Sequence, residues 1–193
     1  IQEKTKALKE LARLSGRTSS EEQGVAEKTV AKILEAIQNE GDKALVRFTQ
    51  EFDGFSPNPI RVSEKEILNA WEKTPVSLKK ALELAHKRIN DFHQRQKPND
   101  FSFKGEHGEK LSRRWSAVER AGIYVPGGRA CYPSTVLMNA IPAKVAGVEE
   151  IIMASPANKQ GKINRTVLAA AYLSGIKHVI RVGGAQAIGA LAF

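Results

Sequence analysis

The sequence holds 193 residues, 41% hydrophobic, 26% charged and 6% aromatic, an ordinary globular balance that excludes collagen-like, mucin-like and disordered classes. Thirty Lys and Arg against 21 Asp and Glu give a net charge of +9, which points to an anionic partner, either nucleic acid or a small molecule. A single cysteine, Cys131, excludes an intramolecular disulfide and a multi-cysteine metal site, and fits a reducing, cytoplasmic setting.

The N-terminal stretch Ile1 to Gly16 alternates charged and apolar residues, without the unbroken apolar core of a signal peptide. Residues 1–20 read as a helical arm. Val25, Val30, Ile33, Leu34 and Ile37 then recur at helical spacing and stop at Gly41, a helix-ending residue. Asp42 is placed to cap a second helix carrying Ala44, Leu45, Phe48 and Phe52, and the Gly and Pro content of Asp53 to Pro59 predicts a loop. Ser63 and Glu66 form a capping-box pair for a short helix through Trp71. Thr74 before Pro75 reads as the cap of a long helix with Leu78, Leu82, Ala85, Ile89 and Phe92 on one stripe. Weak alternation around Gly105 and Gly108 predicts two strands and a turn between Phe101 and Val118.

At Arg120 to Gly122 the composition changes. Residues 1–120 carry 23 basic and 19 acidic side chains, whereas residues 121–193 carry 7 and 2 and are rich in Gly and Ala. This is the predicted internal boundary between a largely helical segment, 21–120, and a second unit, 121–193. In the latter, strands are predicted at Ala121 to Val125, Glu150 to Ala154 and His178 to Val182. Helices are predicted at Ser134 to Ala146, with Pro142 as a kink, at Ile163 to Ser174, and from Gly184 to Phe193. Such alternation gives an α/β fold with a parallel sheet and right-handed crossovers. No apolar stretch approaches the ~20 residues of a membrane span, so a soluble protein without a membrane partner is expected.

In open parallel sheets ligands sit outside the carboxyl ends of the strands. Tyr124 to Arg129, Ser155 to Asn158 and Gly183 to Gln186 should therefore share one edge. Two of these segments contain paired glycines that let the backbone approach an anionic group. Tyr124 offers a ring and a hydroxyl, and Gln186 an amide that donates and accepts. Neither the G-x-G-x-x-G fingerprint nor the Walker pattern is present.

Other candidates read as structural. His86 and His93, seven residues apart on one helix, lack a third ligand, and His107 and His178 complete no cluster. Cys131 has no evident base. Arg113, Arg114 and Trp115 form a basic and aromatic group that a solvated strand explains without nucleic acid.

The strings G-I-Y-V-P-G-G from Gly122, Y-P-S-T-V-L-M-N-A-I-P-A-K-V-A-G-V from Tyr132 and V-G-G-A-Q-A-I-G-A-L-A-F from Val182 resemble the second domain of the histidinol dehydrogenase family. I-L-E-A-I-Q-N-E-G-D-K-A-L, E-F-D and I-N-D-F-H-Q-R-Q resemble its N-terminal region. Ser112 and Ala117 depart from the family, which often has Gly and Pro there. The resemblance implies two incomplete Rossmann-like domains, with residues 21–120 the N-terminal part of the first and residues 121–193 a truncated second, NAD-binding one, and a homodimer. It implies NAD- and zinc-dependent oxidation of L-histidinol through L-histidinal to L-histidine. By motif position it places NAD contacts on Tyr124 and Gln186. It puts the zinc ligands, a catalytic Glu-His pair and a third NAD contact beyond Phe193, so no catalytic or metal-binding residue is assigned, and the 193 residues alone are expected to be inactive. The alternative is a non-catalytic nucleotide-binding or interaction module.

Overall fold

The computed structural model describes residues 4–8, 11, 20–127 and 131–193. Residues 4–8 and 11 are helical, and the rest of the expected N-terminal arm before Ser20 lies outside the described residues. The chain then forms α1 (Ser20–Glu40), α2 (Asp42–Asp53), α3 (Glu64–Glu72) and α4 (Val76–Gln94). A hairpin of β1 (Phe101–Lys104) and β2 (Lys110–Arg113) follows. Next come β3 (Arg120–Tyr124), α5 (Pro133–Ala146), β4 (Glu150–Ala154), α6 (Arg165–Leu173), β5 (His178–Ile180) and α7 (Gly184–Ala192).

β3, β4 and β5 pair in parallel in that order, with Tyr124 opposite Ala154 and Ala154 opposite Ile180. The predicted alternation is thus realised, with β5 two residues shorter than expected. Its end is set by an unforeseen partner. Arg61 bridges Ile180 in antiparallel sense, Val62 donates to the Val179 carbonyl and Arg181 to the Ile60 carbonyl, so residues 60–62 line the outer edge of β5.

Side chains alternate across the sheet, as period 2 requires. Ile123, Val125, Ile151, Met153 and Val179 enter one apolar core with Val136, Leu137 and Ile141 of α5, Val167 and Leu168 of α6, Ile67 and Ala70 of α3 and Leu82 of α4. Tyr124, Ala154, Ile180 and Val182 enter the other, with Ala187 of α7, Ile33 and Ile37 of α1 and Ala44 and Leu45 of α2. Both cores draw on residues from either side of Arg120. The compositional boundary falls at the start of β3 but does not break the apolar packing. The mixed charge of residues 21–120 reflects helices that pack one face against α5, α6 and α7 and turn the other to water.

Several local expectations are corrected. Val25 and Val30 of α1 are exposed, because the second half of that helix, with Ile33 and Ile37, is the part that packs against α7. Gly41, at φ 59°, occupies the cap position of α2, Asp42 is its first helical residue, and the helix continues through Asp53 to Gly54 in the left-handed conformation. Glu66 N–H donates to Ser63 Oγ, but the Glu66 carboxylate turns to Arg181 instead of completing the capping box. Pro75, not Thr74, takes the cap position of α4, and the buried Thr74 hydroxyl donates to the Ala70 carbonyl. Phe92, expected on the buried stripe of α4, is exposed. α5 runs through Pro142. α6 begins two residues later than predicted, with Asn164 Oδ1 accepting from Thr166 N–H as its cap.

Candidate functional site at the carboxyl edge of the sheet

The three strand ends come level. Val125 N–H donates to the Ala154 carbonyl and Ser155 N–H to the Ile180 carbonyl, which carries the pairing one residue past β3 and β4. Pro156, just beyond β4, is the meeting point of the edge. A β-carbon on Gly127 would stand 2.6 Å from Pro156 Cγ and 2.9 Å from its carbonyl oxygen, and one on Gly183 would stand 2.7 Å from Pro156 Cβ. The glycines are thus used for close approach between the strand-end loops, a role any ligand-facing use would share. Gly128 and Arg129 lie outside the described residues.

Tyr124 is half-buried and packs on the apolar cluster that includes Ala185 and Ala187 of α7, the neighbours of Gln186. Gln186 itself is 1% exposed, and its Nε2 has no hydrogen-bond partner. An enclosed amide donor without an acceptor costs about 1–3 kcal/mol, so this atom calls for a partner. Gly184, at φ 62°, lies against it: a β-carbon there would stand 2.6 Å from Gln186 Oε1. The two residues singled out in the sequence therefore flank one sheet edge. Asn158, by contrast, is spent internally, since its Oδ1 accepts from the N–H groups of Gln160 and Lys162 and shapes the turn before α6.

A residue not singled out as a candidate also reaches this edge. Asp53, at the end of α2, is half-buried, and its Oδ2 lacks a partner. Burial raises its carboxyl above the usual range, against a lowering contribution from the Gly183 backbone. The E-F-D string marked the position, but no local pattern tied it to a strand end more than a hundred residues later.

The remaining candidates take structural places. Cys131 Sγ donates to Asn164 Oδ1 at 3.1 Å, and burial pushes its thiol up, so the thiolate a nucleophile requires is disfavoured. His178 Nε2 lies 3.9 Å from Glu150 Oε1. His93 lines a cavity of about 420 Å³ with Asp100, Trp115 and Pro142. Arg113 stacks over the Trp115 ring at 4.1 Å. Among the described residues no three His, Cys, Asp or Glu side chains stand together in a way that could hold a metal ion. A cleft of about 630 Å³ between α3, the 160–163 turn and α6 is lined by Glu66, Lys162, Arg165 and Arg181 and borders neither Tyr124 nor Gln186.

A histidinol dehydrogenase family model matches residues 16–193. The chain is 58% identical over its whole length to a histidinol dehydrogenase of Prochlorococcus marinus strain MIT 9312 and covers 44% of that protein. It is 44% identical over its whole length to one from Gloeobacter violaceus, again covering 44%. The crystal structure of histidinol dehydrogenase from Elizabethkingia anophelis superposes with a TM-score of 0.83 at 40% identity, covering 86% of this chain and 39% of that one. The chain thus spans less than half the length of the relatives it matches. With a family model covering nearly all of it and a solved member sharing its fold, the chain belongs to the histidinol dehydrogenase family.

Proposed function

We propose that the full-length protein carrying this chain oxidises L-histidinol through L-histidinal to L-histidine, with NAD as cofactor and zinc in its active site, as a cytoplasmic homodimer. Family membership across residues 16–193 is the observation that carries this reading. The nucleotide-binding unit is residues 121–193, with the helices of residues 21–120 as its cover.

The carboxyl edge fits a dinucleotide in its chemistry. It offers an unpartnered amide donor on Gln186, an aromatic ring with a hydroxyl on Tyr124 and close-packed glycine turns. NAD, when bound, supplies the hydride acceptor. The part of this chain is to bind and orient it: the Tyr124 ring packs beside the cofactor and Gln186 Nε2 gains the acceptor it lacks. An anionic dinucleotide also accounts for the positive charge of residues 121–193 without nucleic acid. Among the described residues no three His, Cys, Asp or Glu side chains stand together as a zinc site, and the part proposed for this chain is to hold the cofactor.

The test is NADH formation by the full-length protein with histidinol, NAD and zinc. Tyr124→Ala and Gln186→Ala are each expected to raise the KM for NAD about tenfold, the loss of one good contact. Absence of histidinol oxidation would instead favour a non-catalytic nucleotide-binding module, and unchanged cofactor kinetics would remove these two residues from the site.

A further inference from the structure

In dinucleotide-binding α/β folds, a carboxylate at the end of the second strand accepts hydrogen bonds from a ribose hydroxyl. Here the second strand, β4, runs into Ser155, Pro156, Ala157 and Asn158, none of them acidic. Neither Val125 to Gly127 after β3 nor Arg181 to Gln186 after β5 contains an acid. The carboxylate at this edge arrives on another element. Gly54, in the left-handed conformation at φ 73°, ends α2 directly after Asp53. A β-carbon on Gly183 would stand 3.5 Å from Asp53 Oδ2 and 2.7 Å from Pro156 Cβ, so the acid, the β4 end and the β5 end meet around one point.

Asp53 Oδ2 has no hydrogen-bond donor, and Gln186, three residues after Gly183, has an amide with no acceptor. Two unpartnered buried atoms of opposite hydrogen-bonding sense, Asp53 Oδ2 on a carboxylate that the Gly183 backbone also approaches and Gln186 Nε2, match a ligand that brings hydroxyl donors and oxygen acceptors together. A carboxylate in this place also repels a phosphate ester.

We propose that Asp53 is the cofactor-specificity residue of this edge, accepting from a ribose hydroxyl of NAD and excluding a cofactor that carries a phosphate there. The inference rests on the NAD-dependent reading above and names the residue that selects between the two nicotinamide dinucleotides.

The test is calorimetric binding of NAD and of NADP to the full-length protein, without histidinol, for the native sequence, Asp53→Asn and Asp53→Ser. Asn keeps an oxygen for the Gly183 backbone and removes the charge. In both variants the Kd for NAD is expected to rise about tenfold, and the ratio of NADP to NAD dissociation constants to fall at least about tenfold. An unchanged ratio, or equal weakening of both cofactors, overturns the proposal, since a merely structural acid would not discriminate. Failure of both variants to fold overturns it as well, by making Asp53 a structural residue. If the native protein oxidises histidinol with NAD while the ratio stays fixed, only the role of Asp53 falls. If it neither binds NAD nor oxidises histidinol, the functional reading falls too.

Discussion

Arg181 Nη2 donates to Glu66 Oε2 at 2.9 Å, joining the end of β5 to the first turn of α3 across 115 residues of sequence. The same guanidinium donates through Nη1 to the Gly161 carbonyl at 3.0 Å, and its side chain is 14% exposed. One side chain therefore holds together a strand end, a covering helix and the turn that precedes α6.

Replacing Arg181 by Met keeps the stem and removes the donors, leaving Glu66 and the Gly161 carbonyl without their partner. The expected loss is about 2 kcal/mol, with about 1 kcal/mol for Glu66→Gln, which retains an acceptor. Urea denaturation measures both. Equal stabilities for all three proteins would show that the pair contributes nothing net.

Gly183→Ala sets a methyl against Pro156 in a place with no room for it. Gly183 has φ −116°, so the backbone itself tolerates alanine and the cost is purely steric. Overpacking of this kind costs about 1–3 kcal/mol. The variant is expected to melt lower and to bind NAD more weakly, because Gly183 also positions the start of α7 and hence Gln186. A melting temperature equal to the native one would mean that Pro156 moves aside freely.

Asp53 gives stability a pH dependence of definite sign. Burial raises its native carboxyl above the unfolded value, so between the two values the folded state binds more protons than the unfolded state. Stability attributable to this group therefore falls as pH rises through that window, and the penalty persists at neutral pH. Without cofactor, Asp53→Asn is expected to melt above the native protein at about pH 7, and the gap to close at about pH 3, below the ordinary aspartate range. Thermal melts at both values test this, and a gap that widened on acidification would reverse the sign.

The two apolar cores predict the behaviour of a shorter piece. Residues 121–193 alone would expose the faces of α5 and α6 that pack with Ile67, Ala70 and Leu82 of α3 and α4, and the face of α7 that packs with Ile33, Ile37, Ala44 and Leu45 of α1 and α2. Such a fragment is expected to lack a cooperative thermal transition and to associate through its uncovered faces. Circular dichroism and sedimentation of the fragment decide it, and a sharp transition in a monomer would show that the unit folds by itself.

Elements governed by local rules were readable directly from the residue order. The glycines at positions 41, 147 and 175 all adopt positive φ at helix ends, because only glycine does so without steric cost, and they punctuate the chain as expected. Apolar runs and their periods located β3, β4, β5 and the helices between them, and the parallel topology followed from the alternation. The edge carrying Tyr124 and Gln186 followed in turn, since loops after parallel strands must share one side.

Helical periodicity marks an apolar face but carries no information about what will cover it, so Val25 and Phe92 looked like core residues and are exposed. Nor does any local pattern bring residues 60–62 to the free edge of β5, turn Glu66 from its own helix cap to Arg181, or set Asp53 beside Gly183. Each of these contacts links residues more than a hundred positions apart. They exist because the N-terminal helices bury their apolar stripes against α5, α6 and α7, and in docking they carry their polar ends to the edge of the sheet that those helices flank.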